Sequence, residues 1–90
     1  MSYTVEVSHR ADKALGRLDR KTATRIRDRI DLLALDPYNR RISDEREMVP
    51  GQRYFRAGDW RILFEVRESE KTVVIVTIQH RSRVYKDLKK

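Results

Sequence analysis

The chain of 90 residues has no cysteine, two prolines and three glycines. Without cysteine there is no disulfide, no thiol nucleophile and no thiolate metal site, and the cytosol is the compartment expected of such a chain. Long apolar runs are missing too. The longest, VVIVTI from Val73 to Ile78, falls far short of the ~20 residues that a membrane-spanning helix needs. The opening MSYTVEVSHR has no apolar signal-peptide core, so a soluble protein without membrane contact and without a cleavable signal is expected. The carboxylates lie in charge-mixed stretches without ligand spacing and no His-rich motif is present, which suggests neither a metal nor another cofactor. There is no internal repeat and no low-complexity segment.

What the chain has in excess is positive charge. Lysine and arginine number 21 against 14 carboxylates, a formal net charge of +7, and such a balance favours an anionic partner: RNA, DNA or an acidic protein. The carboxylates are too many for a disordered basic tail, and apolar residues recur with clear periods, so the chain is expected to form a single globular domain over residues 1–90. A domain this short buries only roughly 60% of its unfolded-state surface.

Tyr3 to Val7 alternates as a strand does, with Val5 and Val7 pointing one way and Thr4 and Glu6 the other. Ser8 can cap a helix carrying Ala11, Ala14, Leu15 and Leu18. Asp19 can cap a second, with Ala23, Ile26, Ile30 and Leu33 on one stripe, ending near Asp36-Pro37. The segment from Pro37 to Gly51 (PYNRRISDEREMVPG) shows no period and reads as an irregular connection. Residues Arg53 to Ala57 and Trp60 to Arg67 flank Gly58-Asp59, and glycine at the first central position suits a two-residue type II′ turn. Glu68 to Lys71 makes a second polar turn. Thr72 to His80 reads as a central strand buried on both sides, and RSRVYKDLKK as a short basic helix or tail. The fold class is therefore α+β: an N-terminal strand, a two-helix hairpin, an antiparallel three-stranded meander and a short C-terminal helix.

The hairpin poses a question. A type II′ turn sets Ala57 opposite Trp60 and Phe55 opposite Ile62 on one apolar face, so that the other face carries Tyr54, Arg56, Arg61 and Leu63, with Arg56 directly across from Arg61. Like charges at such positions usually destabilise a sheet. An anion seated between the two guanidiniums turns repulsion into attraction, and a phosphate is the obvious one. The plain alternative is two long side chains splayed into water, with Asp59 or Glu65 as partners. Trp60, on the apolar face with Phe55 and Ile62, reads as a core residue before a base-stacking one.

The order of these elements, together with YFRAGDWRILF (Tyr54 to Phe64) and the ending HRSRVYKDL (His80 to Leu88), resembles the toxins of the RelE/ParE superfamily, on the RelE side. The resemblance covers nearly the whole chain. It implies a ribosome-dependent endoribonuclease that cuts mRNA in the A site without a metal, through attack of a ribose 2′-hydroxyl on the adjacent phosphate, and that is neutralised by a cognate antitoxin. It also implies that operator DNA is met only through the antitoxin complex. Ribosomal RNA phosphates would be met through basic helix residues such as Lys21, Arg25 and Arg29.

By that resemblance Arg61 holds the scissile phosphate and stabilises the charge of the transition state. Arg56 matches the basic position at the end of the preceding strand, Arg81 a further phosphate-binding arginine, and Tyr85 the C-terminal tyrosine that stacks on a base or takes part in proton transfer. Arg83 lies close enough to exchange roles with Arg81, and Lys86 adds a further RNA contact. Tyr54 departs from the pattern, standing where the best-studied members carry a second basic residue. Arg53 replaces that residue only if the register shifts. Pairing His9 with His80 as acid and base is disfavoured, because nothing in the sequence brings them together. Two other readings stay open: a ParE-like poison of DNA gyrase that cuts nothing, and a non-catalytic homologue that binds only antitoxin and operator.

Overall fold

A computed structural model describes residues 2–39, 41, 43–45 and 52–81. The chain forms β1 (Thr4–Val7), α1 (His9–Arg17), α2 (Arg20–Leu35), β2 (Asp44–Glu45), β3 (Gln52–Ala57), β4 (Trp60–Arg67), a one-turn 3₁₀ helix (Glu68–Glu70) and β5 (Thr72–His80). The strands make one sheet in the order β1-β5-β4-β3-β2. β1 runs parallel to β5 and the other neighbours are antiparallel. This is the expected α+β architecture with its helix pair and meander.

Both helices begin where their caps lie. Ser8 Oγ accepts from the Ala11 N–H at 3.1 Å, and Asp19 accepts from the Thr22 N–H at 3.2 Å, each satisfying a donor that the first turn leaves without a helical partner. The apolar stripes then meet one face of the sheet. Ala11 and Leu15 of α1 and Ala23, Ile26, Ile30 and Leu33 of α2 pack with Phe55, Ala57, Ile62, Phe64, Val73, Ile75 and Ile78. The Phe55 and Phe64 rings lie tilted at 6.3 Å in the middle of this core.

β5 lies inside the sheet between β1 and β4, in keeping with its apolar run, but its ladder is irregular. Leu63 pairs with Thr77 and Phe64 with Ile75, which leaves Val76 as an extra residue in a β-bulge. The bulge keeps Ile75 and Ile78 both in the core. Its carbonyls are satisfied by Ser8, the cap of α1: the Ser8 N–H donates to Ile75 O at 3.0 Å and the Ser8 hydroxyl to Val76 O at 2.6 Å.

Several expectations need correction. Val5 and Val7 do share one side of β1, beside Val73 and Ile75, but Val7 is 41% exposed at the strand's end. The stretch read as a wholly irregular connection contains β2, whose two residues pair with Tyr54 and Arg53 of β3. Two residues are too few to show a period, so this strand leaves no trace in the pattern. Pro37 and Ser43 in the same stretch are buried, with the Ser43 hydroxyl donating to Pro37 O at 2.8 Å. The polar turn at Glu68 closes with Lys71 in the left-handed region at φ 51°. The expected C-terminal helix lies outside the described residues.

Candidate nucleic-acid interface

The site is built on the hairpin of β3 and β4. Gly58 has φ +62° and Asp59 does not share the positive φ, as a type II′ turn requires and a type I′ turn does not. The register follows from it: Ala57 pairs with Trp60, Arg56 with Arg61, Phe55 with Ile62 and Tyr54 with Leu63. Phe55 and Ile62 turn into the core, so Arg56 and Arg61 stand together on the face away from the helices. Gln79 of β5 extends this row by pairing with Arg61.

Tyr54 holds the two arginines. The Arg61 guanidinium carbon lies 4.6 Å from the centre of its ring and that of Arg56 lies 5.9 Å away. Each such contact contributes about 0.5–1 kcal/mol at an exposed site, which offsets part of the repulsion between the guanidiniums. Among the described residues neither arginine forms an ion pair, so Asp59 and Glu65 do not serve as the partners considered above. The result is a pair of cations gathered on one aromatic ring with their hydrogen-bonding edges left for another group.

The remaining sequence-derived residues divide by position. The Arg81 N–H donates to the Asp59 carbonyl at 2.7 Å, so the end of β5 is tied to the turn that leads into Arg61. Arg53 is on the other face. It pairs with Phe64, donates to Ser43 Oγ from Nη2 at 3.2 Å, and sets its guanidinium 5.3 Å from the Tyr38 ring centre. The register does not shift, and Arg53 does not join the arginine row. Arg83, Tyr85 and Lys86 lie outside the described residues. Arg25 of α2 reaches the hairpin from the helix side, its Nη1 3.9 Å from where a side chain at Gly58 would begin.

Two features escaped the sequence reading. Trp60 packs only partly into the core; it meets His80 edge-on at 5.0 Å and lines an open groove of about 400 Å³ against α1. Its cross-strand pairing with His80 was the available signal. The second is a polar cluster distant from the arginine row. Tyr3 and Tyr38 both donate to the Glu68 carboxylate, at 2.8 and 2.7 Å, and Lys71 bonds to it as well. The bonds from Lys71, Tyr38 and Tyr3 hold the Glu68 carboxyl down at about 2, and the bond to Glu68, with some burial, pushes the Tyr38 hydroxyl up to about 12. This cluster joins the residue before β1, the segment after α2 and the 3₁₀ turn. Its partners lie 30 and 65 residues apart, a spacing no local pattern shows.

Among the described residues no group of three His, Asp or Glu side chains is placed to hold a metal ion, and no helix is long and apolar enough to cross a membrane. The Arg56 and Arg61 guanidiniums, gathered on the Tyr54 ring, can bind an anion and stabilise negative charge.

Comparison with known proteins gives the family of the chain. The structure is similar to a chain of the toxin-antitoxin complex RelBE2 of Mycobacterium tuberculosis, with 26% identity, coverage of 90% of this chain and 100% of the other, and a TM-score of 0.75. It is similar to the archaeal RelE-RelB complex of Pyrococcus horikoshii OT3 at 25% identity over 92% and 99% of the two chains, with a TM-score of 0.74. The isolated RelE toxin of E. coli shares the fold at 15% identity over 97% and 95%, with a TM-score of 0.79. No curated protein sequence matches the chain. A family model described as the ParE toxin of the type II toxin-antitoxin system parDE matches residues 5–85. The chain belongs to this family and is a toxin of the RelE/ParE superfamily, from type II toxin-antitoxin systems.

Proposed function

We propose that this toxin is a ribosome-dependent endoribonuclease that cuts mRNA in the A site. The observation that carries the reading is the pair Arg56 and Arg61, held on one tyrosine ring with no carboxylate partner among the described residues. A pair of guanidiniums on a sheet face matches a phosphodiester whose charge rises as it becomes a phosphorane. In the reaction the ribose 2′-oxygen forms a bond to phosphorus, the bond to the 5′-oxygen breaks, and the proton of the 2′-hydroxyl is replaced by one delivered to the leaving oxygen. The products are a 2′,3′-cyclic phosphate and a 5′-hydroxyl. Arg61 holds the non-bridging oxygens and Arg56 adds charge from across the hairpin. Arginine stays charged at physiological pH, so both act electrostatically, and the proton acceptor is another group: Tyr54 or Tyr85 of this chain, or a group of the ribosome. Arg81 is assigned to the same phosphate track, with Arg83 and Lys86 after it.

The partner proposed for the free toxin is a cognate antitoxin, supported by the RelB chains bound in the M. tuberculosis and P. horikoshii complexes. The family model, described as a ParE toxin, favours a second reading, a gyrase poison that uses the same fold without cutting RNA. One experiment separates them. Purified toxin is added to a translating extract and new RNA ends on ribosome-bound message are mapped for wild type and Arg61→Ala. Cuts in the A site bearing 2′,3′-cyclic phosphate, lost in a folded Arg61→Ala protein, are expected. Intact message together with arrested DNA supercoiling would move the protein to the gyrase reading.

A further inference from the structure

Trp60 and Arg61 are neighbours in β4 and point to opposite faces of the sheet, one into the groove against α1 and the other into the arginine row. The two faces meet around β5. Pairing between β1 and β5 ends at Val7–Ile75, and beyond it the second half of β5 has α1 rather than a strand beside it. Gln79 is both the cross-strand partner of Arg61 and part of the groove lining. A flexible polymer on the arginine row thus has a short route around β5 into the groove.

The groove has two unlike walls. Arg10, Lys13 and Arg17 stand at i, i+3 and i+7 on α1, one face of the helix and all exposed. Across from them are the half-buried Trp60 ring and His80. No carboxylate lines the groove among the described residues. A row of cations facing an aromatic wall suits a ligand that joins a negative charge to a flat ring, which is the chemistry of a nucleotide. An acidic peptide would satisfy the cations but would leave the indole face without a planar partner.

We propose that this groove is a second nucleic-acid subsite, in which a nucleotide of single-stranded RNA continuing from the arginine row sets its base against Trp60 and its phosphates against Lys13 and Arg17. The inference rests on the proposed function in taking the polymer to be RNA. It concerns binding alone and is tested without any cleavage.

Trp60 is the only tryptophan of the chain, so its emission reports on the groove directly. The probe is a six-residue oligoadenylate with 2′-O-methyl riboses, which lacks the attacking hydroxyl. Titration is expected to quench the emission. The doubly neutralised Lys13→Gln, Arg17→Gln protein, changed only at exposed positions and checked by circular dichroism, should bind at least ten-fold more weakly. The dependence of log affinity on log salt should flatten by about 1.4, at roughly 0.7 per lost phosphate contact on a single strand. Arg61→Ala should weaken the hexamer while leaving quenching by a dinucleotide intact. Absence of quenching in a toxin that cuts message would overturn the subsite and leave the cleavage reading standing. Quenching without cleavage would support the subsite while the cleavage reading fell. Adenosine monophosphate binding as tightly as the hexamer, or an acidic peptide quenching where RNA does not, would each overturn the proposal.

Discussion

The ring of Tyr54 lies under both guanidiniums of the arginine row, and its loss is expected to free them. Substituting leucine removes two contacts of about 0.5–1 kcal/mol each and should lower cleavage by about 5- to 30-fold in the translating extract. Phenylalanine keeps the ring, so with Tyr85 or the ribosome as proton acceptor activity should stay within about two-fold. Loss of cleavage in Tyr54→Phe would instead make the hydroxyl the proton acceptor. Glu68 gives a second prediction at this scale. Its carboxyl is held down at about 2 by Lys71, Tyr38 and Tyr3, so the stabilisation is present above the ordinary carboxylate range and is lost as pH falls through about 2. Urea denaturation of wild type and Glu68→Gln should differ most near neutral pH and converge over that acid window. At the alkaline end the Tyr38 hydroxyl, pushed up to about 12, contributes below its ordinary value near 10 and loses that contribution as pH rises to about 12. The arginine pair was legible in the sequence because Gly58-Asp59 defines a turn and the turn defines the register. The Glu68 cluster was not, because its members meet only after the whole chain has folded.

Among the elements, α1 and β5 are joined through one residue. Ser8 caps α1 and also bonds both carbonyls flanking the bulge of β5. Ser8→Ala removes the cap and the bond to Val76 O together, and should cost about 1–2 kcal/mol in urea denaturation. The groove between α1 and β5 should lose definition with it, read as weaker Trp60 quenching at equal RNA concentration. Gly58→Ala tests the hairpin. The nearest atom, Arg25 Nη1 at 3.9 Å, leaves room for a methyl group, so the cost comes from the positive φ, about 1–2 kcal/mol. Helices with caps and 3.6-residue stripes were legible, since each signal is contained within its own segment. β2 was not, because two residues become a strand only through the partner Tyr54 and Arg53 provide. Arg53 shows the same limit. Its residue type suggested RNA, while its parity in β3 sends it to Ser43 and Tyr38 on the opposite face.

At the scale of the fold, several cations of the described residues lie together. Arg56, Arg61 and the backbone of Arg81 gather at the hairpin end of the sheet, Arg25 approaches Gly58 there, and the basic wall of α1 faces Trp60 and His80 beside them. The net charge of +7 alone indicated an anionic partner; the fold sets part of that charge beside the hairpin and the groove. Association with ribosomes should therefore fall steeply with salt, and Lys13→Gln should reduce that slope more than neutralising Lys71, which Glu68 already engages. The most direct measurement uses ribosomes programmed with a message whose A-site codon carries a single 2′-deoxyribose at the mapped cleavage position. The account predicts that the all-ribose message is cut by wild type and spared by Arg61→Ala, and that the deoxy message is spared by both. Cutting of the deoxy message, or an uncut all-ribose message, would contradict it.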